Sequence, residues 1–183
     1  MKYKIAFLDR DGTINVDKSY LYKIEDFKFL PGVIEGMKKL QDNGYLLVII
    51  TNQSGIGRGY YTVEDMERLH NWLRGKLHVY SIRIAGIYYC PHLPNAKIDK
   101  YRCKCNCRKP KTGMFWQAIY DLGNKYSLDL KHSVAIGDKE RDLTICKEIG
   151  AKGVIVGNNA SSGWMHASHD FYEAVKWILE VDK

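Results

Sequence analysis

Apolar runs of strand length alternate with helical segments along most of the chain, and this alternation limits the fold more than any other feature of the sequence. In the first helical segment, for example, Val33, Met37 and Leu40 recur at the spacing of one helix face. Strands that alternate with helices favour a parallel sheet covered by helices on both faces. The sequence therefore predicts an α/β fold, a doubly wound and mostly parallel sheet of five strands, at residues 3–8, 45–50, 82–88, 133–137 and 153–156.

Capping residues and glycines mark the predicted helix ends. The first helix is expected to stop at Gly44, and the second to begin at Thr62, where Asp65 nearly completes a capping box. The other helices are predicted after Thr112, from about Glu140 to Gly150, and at roughly 170–180.

Two insertions follow predicted strands, residues 12–31 and 89–109, and both are expected to overhang the end of the sheet. Neither is long enough for a separate cap domain, so we expect an open site walled by loops. With 183 residues, of which 45% are hydrophobic, the chain suits one domain with a sizeable core. We predict a single domain over residues 1–183, with the loop 89–109 inserted in it.

The charge and the hydropathy pattern restrict partners and location. A formal net charge of +7 favours anions, but the basic residues are scattered, so the charge does not distinguish nucleic acid from a small phosphorylated substrate. No apolar segment is long enough to span a bilayer, and Met1-Lys2 runs directly into the first strand rather than into a signal peptide. We therefore predict a cytoplasmic protein without a membrane partner.

Two carboxylates, Asp9 and Asp11, follow the first predicted strand. Open α/β sheets form their sites beyond the carboxyl ends of such strands, so both residues are expected at the mouth of a crevice. There one carboxylate can act as a nucleophile while the other handles the proton. Gly12 then leaves the backbone free at the point where a phosphate would approach.

Further polar motifs follow in order along the chain. Thr51-Asn52 ends the second predicted strand, Arg108-Lys109-Pro110 precedes a helix, and Gly137-Asp138-Lys139 follows the fourth strand. This order resembles that of the haloacid-dehalogenase-like phosphatases, which implies a Rossmann-like sheet. Within this group, four motifs resemble those of the D-glycero-D-manno-heptose 1,7-bisphosphate 7-phosphatases and their histidinol-phosphate phosphatase relatives. The motifs are Asp9-Arg-Asp-Gly-Thr-Ile-Asn, Thr51-Asn-Gln-Ser-Gly-Ile-Gly-Arg-Gly, Cys105-Asn-Cys-Arg-Lys-Pro and Ile136-Gly-Asp-Lys.

The resemblance implies a Mg²⁺-dependent phosphomonoesterase that works through an aspartyl-phosphate. Asp9 would attack phosphorus, and Asp11 would protonate the leaving alkoxide and then take a proton from the hydrolytic water. Thr51 and Lys109 would contact the transferring phosphoryl oxygens. The implied Mg²⁺ ligands are the Asp9 carboxylate, the Asp11 backbone carbonyl and Asp138.

Other polar residues are candidates for contacts around the reacting phosphate. Asp142 fits two readings, orientation of the metal ligands or a place in the first turn of a helix. For Tyr20, packing and contact with the substrate are both consistent with the sequence. Arg108 suits bidentate binding of a second phosphate or a hydroxyl pair. The candidate substrate-binding residues are Asn15, Asp17, Tyr20, Asn52, Arg108 and Lys139.

Four of the five cysteines lie between Cys90 and Cys107. With His92 they supply the sulfur and nitrogen ligands that suit tetrahedral Zn²⁺. The sequence alone leaves two pairings open, because Cys103-x-Cys105 competes with Cys105-x-Cys107. In the resembling family the cysteine pair directly precedes Arg-Lys-Pro, which implies a structural Zn²⁺ held by Cys90, His92, Cys105 and Cys107.

The favoured function is removal of the 7-phosphate from a heptose 1,7-bisphosphate, a step of carbohydrate metabolism in heptose and lipopolysaccharide biosynthesis. Histidinol phosphate is the alternative substrate. A polynucleotide phosphatase is less favoured, because no basic stripe accompanies Tyr88 and Tyr89. A zinc-binding module without activity is also less favoured, because all five residues expected at the phosphatase site are present: Asp9, Asp11, Thr51, Lys109 and Asp138. We expect a monomer with a small phosphorylated sugar as substrate and no nucleic acid partner.

Overall fold

The computed structural model describes residues 2–157 and 166–181. Six parallel strands form one sheet in the order β3-β2-β1-β4-β5-β6. The parallel α/β sheet predicted from the sequence is confirmed, but the predicted number of five strands is wrong. The sixth strand has only three residues and no apolar run to reveal it. The strands are β1 Lys4–Leu8, β2 Tyr45–Asn52, β3 Ile84–Cys90, β4 Val134–Gly137, β5 Lys152–Val156 and β6 His166–Ser168.

Within residues 2–157 and 166–181, six α-helices connect or follow the strands, and three short 3-10 turns lie in the loops. The capping box at the start of the longest helix is complete, since Asp65 N donates to Thr62 Oγ1 at 3.1 Å and Thr62 N to Asp65 Oδ2 at 3.0 Å. The α-helices are α1 Val33–Asp42, α2 Ser54–Arg58, α3 Val63–Val79, α4 Gly113–Gly123, α5 Ile145–Ile149 and α6 Phe171–Val181, and the 3-10 turns are Ile24–Asp26, Asp99–Tyr101 and Glu140–Asp142.

One predicted helix differs from the observed structure. The segment expected to be helical from about Glu140 to Gly150 consists of a 3-10 turn and the five-residue α5. Asp142, the last residue of the turn, has a buried carboxylate that accepts from Lys139 N at 3.1 Å, the contact of a capping box at a helix start. Leu143 and Thr144 separate this turn from α5.

Helices cover both faces of the sheet, as the alternation of strands and helices predicts. In β1, Ala6 and Leu8 pack into a core with α1 and α6. Ile5 and Phe7 point to the opposite face and pack against α4, where the rings of Phe7 and Phe115 meet edge to face at 5.3 Å. The strand is therefore buried on both faces, which accounts for its continuous apolar run.

The topology fixes the position of the site. The chain places β2 and β3 on one side of β1 and then returns to place β4, β5 and β6 on the other. The carboxyl ends of β1, β2 and β4 therefore meet where the strand order reverses, the usual place for a crevice in such sheets. The third strand runs two residues beyond its predicted end, so Cys90 pairs with Asn52 at the same edge.

Neither insertion forms a cap domain within the described ranges. The segment between β1 and α1 contains one 3-10 turn, and the segment between β3 and α4 contains another. Among residues 2–157 and 166–181, no helix is both long and apolar enough to cross a bilayer.

Candidate active site

Asp9 lies immediately after β1 and is 9% exposed. The ammonium of Lys109, brought in from the loop before α4, lies 2.6 Å from Asp9 Oδ1 and 2.7 Å from the carbonyl of Ile50. Burial and the nearby Asp142 carboxylate raise the pKa of Asp9 to about 7, although the Lys109 ammonium acts in the opposite direction. Asp9 is thus a buried carboxylate whose charged form needs cations beside it.

Two more carboxylates face Asp9. Asp138 follows β4, and Asp142 pairs with Lys109 at 2.7 Å. The ligand oxygens of the three aspartates lie within 4.8 Å of one another, and Asp138 Oδ1 is buried without a hydrogen-bond partner. Burial also raises the pKa of Asp138. Hard oxygen ligands crowded in this way fit Mg²⁺, which would relieve their mutual repulsion.

Asp142 combines features of both interpretations left open by the sequence. Its Oδ2 caps the 3-10 turn that it ends, while its Oδ1 binds Lys109. Burial disfavours the charge on Lys109, but Asp9 and Asp142 outweigh this effect and raise the pKa of the lysine. Lys109 therefore remains a cation between two carboxylates.

Asp11 lies on the other side of the site with its carboxylate fully engaged. Both oxygens accept from Arg10, at 2.9 Å for the shortest contact. Asn15 Nδ2 donates to Oδ1 at 3.0 Å, and Gln53 Nε2 donates to Oδ2 at 3.1 Å. The carboxylate of Asp11 is thus held by three side chains at the edge of the pocket.

Thr51 and Asn52 lie side by side at the end of β2 but differ in their contacts. Thr51 Oγ1 accepts from Gln53 Nε2 at 2.8 Å, so its own proton stays available for a phosphoryl oxygen. The Asn52 amide is occupied by the backbone of Lys109, accepting from its N–H at 3.1 Å and donating to its carbonyl at 3.2 Å. Asn52 therefore fixes the position of the lysine, and it also lines the cavity, so its contact with substrate stays a prediction.

A cavity of about 260 Å³ is lined by Asp9, Asp11, Thr51, Asn52 and Lys109 of these residues. Its cationic side is formed by Arg108, Lys139 and Arg141, and Lys139 Nζ also pairs with Asp138 Oδ2 at 3.0 Å. Arg108 Nη1 is buried and has no hydrogen-bond partner. Burial is the main cause that lowers the pKa of Arg108, and the charge of Arg141 adds to it. A second anionic group on a substrate would satisfy this arginine.

The first insertion supplies the opposite wall. Asp17 and Tyr20 line the cavity, and the Tyr20 ring packs edge to face on Tyr60 at 4.8 Å. Tyr20 therefore packs against a neighbouring ring and also faces the cavity, so the structure is consistent with both interpretations of this residue. Asn15 is fully buried beside Asp11 and does not line the cavity, so its position suits support of Asp11 rather than contact with substrate.

Five residues that line the pocket were not predicted from the sequence: Ser19, Gln53, Ser54, Tyr61 and Arg141. Gln53 belongs to the motif that begins at Thr51, and its polar side chain two residues after a strand-end threonine was an available signal. Tyr61 donates to Gln53 Oε1 at 2.6 Å, and nothing in its local sequence indicates that contact.

A cysteine and histidine cluster lies beside the loop that carries Lys109. The ligand atoms of Cys90, His92, Cys105 and Cys107 lie within 4.8 Å of one another. Cys107 Sγ is 3.0 Å from Cys90 Sγ and 3.2 Å from His92 Nδ1. Cys103 is exposed and outside the cluster, which removes the competing pairing. Three sulfurs and one imidazole nitrogen converging on one point fit a tetrahedral Zn²⁺.

The closeness of Gly12 to Asp138 gives a first prediction. A Cβ at Gly12 would lie 2.6 Å from Asp138 Oδ2, and the residue has a φ of +88°. We expect Gly12→Ala to displace Asp138 and to lower kcat/KM by about tenfold or more, since displaced catalytic geometry is costly. Backbone strain should add about 1–2 kcal/mol of destabilisation. Steady-state kinetics and thermal melting would measure both effects.

Gly44→Ala is the matched control for this substitution. Gly44 has a similar φ of +82°, but a Cβ there would meet nothing within 4 Å. It should reproduce the loss of stability and leave turnover intact. Equal turnover in the two variants would contradict a specific effect on Asp138.

Fold and site together define a class of protein. An Asp-x-Asp pair follows the first strand of a parallel sheet, and a threonine, a buried lysine and further aspartates lie beside it on neighbouring strands and loops. This is the arrangement of haloacid-dehalogenase-type phosphatases. A family profile described as "Polynucleotide kinase 3 phosphatase" matches residues 4–171.

Curated relatives narrow the class. The D-glycero-beta-D-manno-heptose-1,7-bisphosphate 7-phosphatase of Haemophilus ducreyi is 48% identical over 83% of this chain and 81% of its own length. The protein of the same name from Escherichia coli K12 is 37% identical over 93% of this chain and 92% of its own. The chain belongs to the family of the heptose-1,7-bisphosphate 7-phosphatases. The phosphatase profile that matches residues 4–171 is consistent with this assignment. It is therefore a phosphoric monoester hydrolase by family.

A solved structure agrees with this assignment. The D,D-heptose 1,7-bisphosphate phosphatase of B. bronchiseptica, determined with magnesium and phosphate, superposes with a TM-score of 0.77 at 26% identity. The match covers 97% of this chain and 99% of that one.

Proposed function

We propose that this protein removes the 7-phosphate of D-glycero-D-manno-heptose 1,7-bisphosphate through an aspartyl-phosphate on Asp9. The names of curated relatives at 37–48% identity, matched over most of their length, carry the choice of substrate. The cationic wall of the cavity supports it, because a bisphosphate brings a second anion that Arg108 can bind.

The chain's own residues account for the two steps. In the first, a carboxylate oxygen of Asp9 bonds to phosphorus while the phosphorus–oxygen bond to the sugar breaks and Asp11 gives a proton to the leaving oxygen. In the second, Asp11 takes a proton from water, which attacks phosphorus and releases Asp9. Thr51 donates to a phosphoryl oxygen, and Lys109 places its positive charge beside the phosphoryl group, in both steps.

Two metal ions complete the proposal. Mg²⁺ would be held by the Asp9 carboxylate, the Asp11 backbone carbonyl and Asp138, and when bound it stabilises negative charge on the phosphoryl group. The solved relative with magnesium and phosphate supports this choice. Zn²⁺ at the cysteine and histidine cluster would fix the loop that carries Arg108 and Lys109.

The other functions have less support. The aromatic pair considered as a platform for a polynucleotide, Tyr88 and Tyr89, lines a different groove from the pocket around Asp9. The converging site residues disfavour an inactive zinc module. A cytoplasmic location, a monomeric state and a single domain over residues 1–183 stay predictions.

Phosphate release in the presence of Mg²⁺ tests the substrate. We expect kcat/KM for heptose 1,7-bisphosphate to exceed that for histidinol phosphate by about a hundredfold or more, since buried groups left unpaired by the wrong substrate are costly. Arg108→Ala should reduce this preference while leaving the hydrolysis of a simple monophosphate nearly unchanged. Preference for histidinol phosphate would overturn the substrate and keep the mechanism.

A further inference from the structure

The side chain of Arg10, between the two site aspartates, is fully buried. Its guanidinium uses three nitrogens for contacts inside the protein. Nε and Nη2 bind the Asp11 carboxylate, Nη2 also donates to the carbonyl of Leu21 at 2.9 Å, and Nη1 lies 2.9 Å from His70 Nε2. The Asp11 side chain is thus bound by a guanidinium that has no access to solvent.

His70 is the group that holds the far side of this guanidinium. It lies on α3 and is 5% exposed. An arginine can only donate, so His70 Nε2 accepts and the imidazole is neutral with its proton on Nδ1. Burial, with the charge of Arg10 as the second cause, lowers the pKa of His70 to about 3, so the ring keeps this role at neutral pH.

Gln53 and Tyr61 restrain the Asp11 carboxylate from a second direction. Tyr61 donates to Gln53 Oε1, which orients the amide so that Nε2 donates to Asp11 Oδ2 and Thr51 Oγ1. The Tyr61 ring is itself stacked on Tyr22 with centroids 5.0 Å apart. Asp11 is therefore held by donors whose own positions are fixed by buried partners.

We propose that His70 and Arg10 are positioning residues for Asp11, with the imidazole on α3 fixing the guanidinium and the guanidinium fixing the carboxylate. The inference rests on the proposed function, in which Asp11 protonates the leaving oxygen. A role in stability alone explains the arrangement poorly, because a buried ion pair adds little stability over apolar side chains of the same volume. Orientation of a proton donor, in contrast, depends on such restraint.

The choice of leaving group separates positioning from general damage. In the phosphoryl transfer to Asp9, the alkoxide of a sugar needs the proton of Asp11 as the phosphorus–oxygen bond breaks, whereas p-nitrophenolate leaves without one. A misplaced Asp11 should therefore lower kcat/KM for heptose 1,7-bisphosphate more than for p-nitrophenyl phosphate. A variant that is only less folded should lower both by the same factor.

The test compares His70→Leu with His70→Gln, whose Oε1 can take the place of Nε2 as acceptor. We expect His70→Leu to lower kcat/KM for the bisphosphate at least about tenfold more than for p-nitrophenyl phosphate, a part of the 10²–10⁴ that a general acid contributes. His70→Gln should recover most of the difference. If His70→Leu does not fold, His70→Asn, whose shorter amide stops short of Arg10, serves in the same comparison.

Two controls make the result decisive. Leu73→Ala removes a buried side chain of α3 that packs in the core with α1 and α6, and should lower the Tm without changing the ratio of the two substrates. Asp11→Asn removes the proposed acid itself, so it shows how much more kcat/KM falls for heptose 1,7-bisphosphate than for p-nitrophenyl phosphate when the acid is absent. If Asp11→Asn affected both substrates equally, the proposed acid would be wrong. If Asp11→Asn were selective and His70→Leu were not, the positioning inference alone would fail.

Discussion

Asp9→Asn is expected to abolish turnover while the protein stays folded. The amide keeps the shape of the side chain and its oxygen can still accept from Lys109 Nζ, but it cannot form the acyl phosphate. Removal of a covalent nucleophile should lower kcat on the order of 10³-fold or more. Steady-state phosphate release and circular dichroism would measure the two effects, and a radiolabelled phosphoenzyme should be trapped in the wild type only.

Asp42→Asn is the matched control, because it neutralises an exposed carboxylate at the end of α1, away from the pocket. It should turn over substrate at the wild-type rate. Turnover by Asp9→Asn within about tenfold of the wild type, after deamidation has been excluded by mass spectrometry, would remove Asp9 from the role of nucleophile.

Cys107→Ser is expected to lose the zinc, part of the stability and most of the activity together. Cys107 Sγ touches both Cys90 Sγ and His92 Nδ1, so its loss opens the ligand set. The same residue directly precedes Arg108 and Lys109. A loss of about 3 kcal/mol would lower the Tm of a chain of this size by roughly 6–12 °C. Metal analysis, thermal melting and kinetics on the same preparation would measure the three effects.

Cys103→Ser removes a neighbouring thiol that is exposed and outside the cluster. It should keep the zinc, the Tm and the activity of the wild type. A Cys107→Ser protein that lacks zinc and retains full activity would contradict the coupling between the metal loop and Lys109, although the site at Asp9 would be unaffected by that outcome.

Much of the sheet could be predicted because its signals are local. Apolar runs buried on both faces mark β1 and β2, and the residues that end them, Asp9 and Thr51, necessarily meet at one edge of a parallel sheet. The three-residue β6 carries no such run. Likewise, no local signal shows that Asp142 is buried, because its carboxylate binds Lys109, which lies 33 residues earlier in the chain.

The sequence by itself determined the class of fold, the order of the polar motifs and the residue types that can attack phosphorus or hold a metal. The contacts among them were decided by tertiary structure. Arg10 meets His70 across 60 residues and Gln53 across 43, and Asn52 meets the backbone of Lys109 across 57. The physical reason is that periodicity and capping report only interactions within one element, whereas these hydrogen bonds join elements that only the packed sheet brings together.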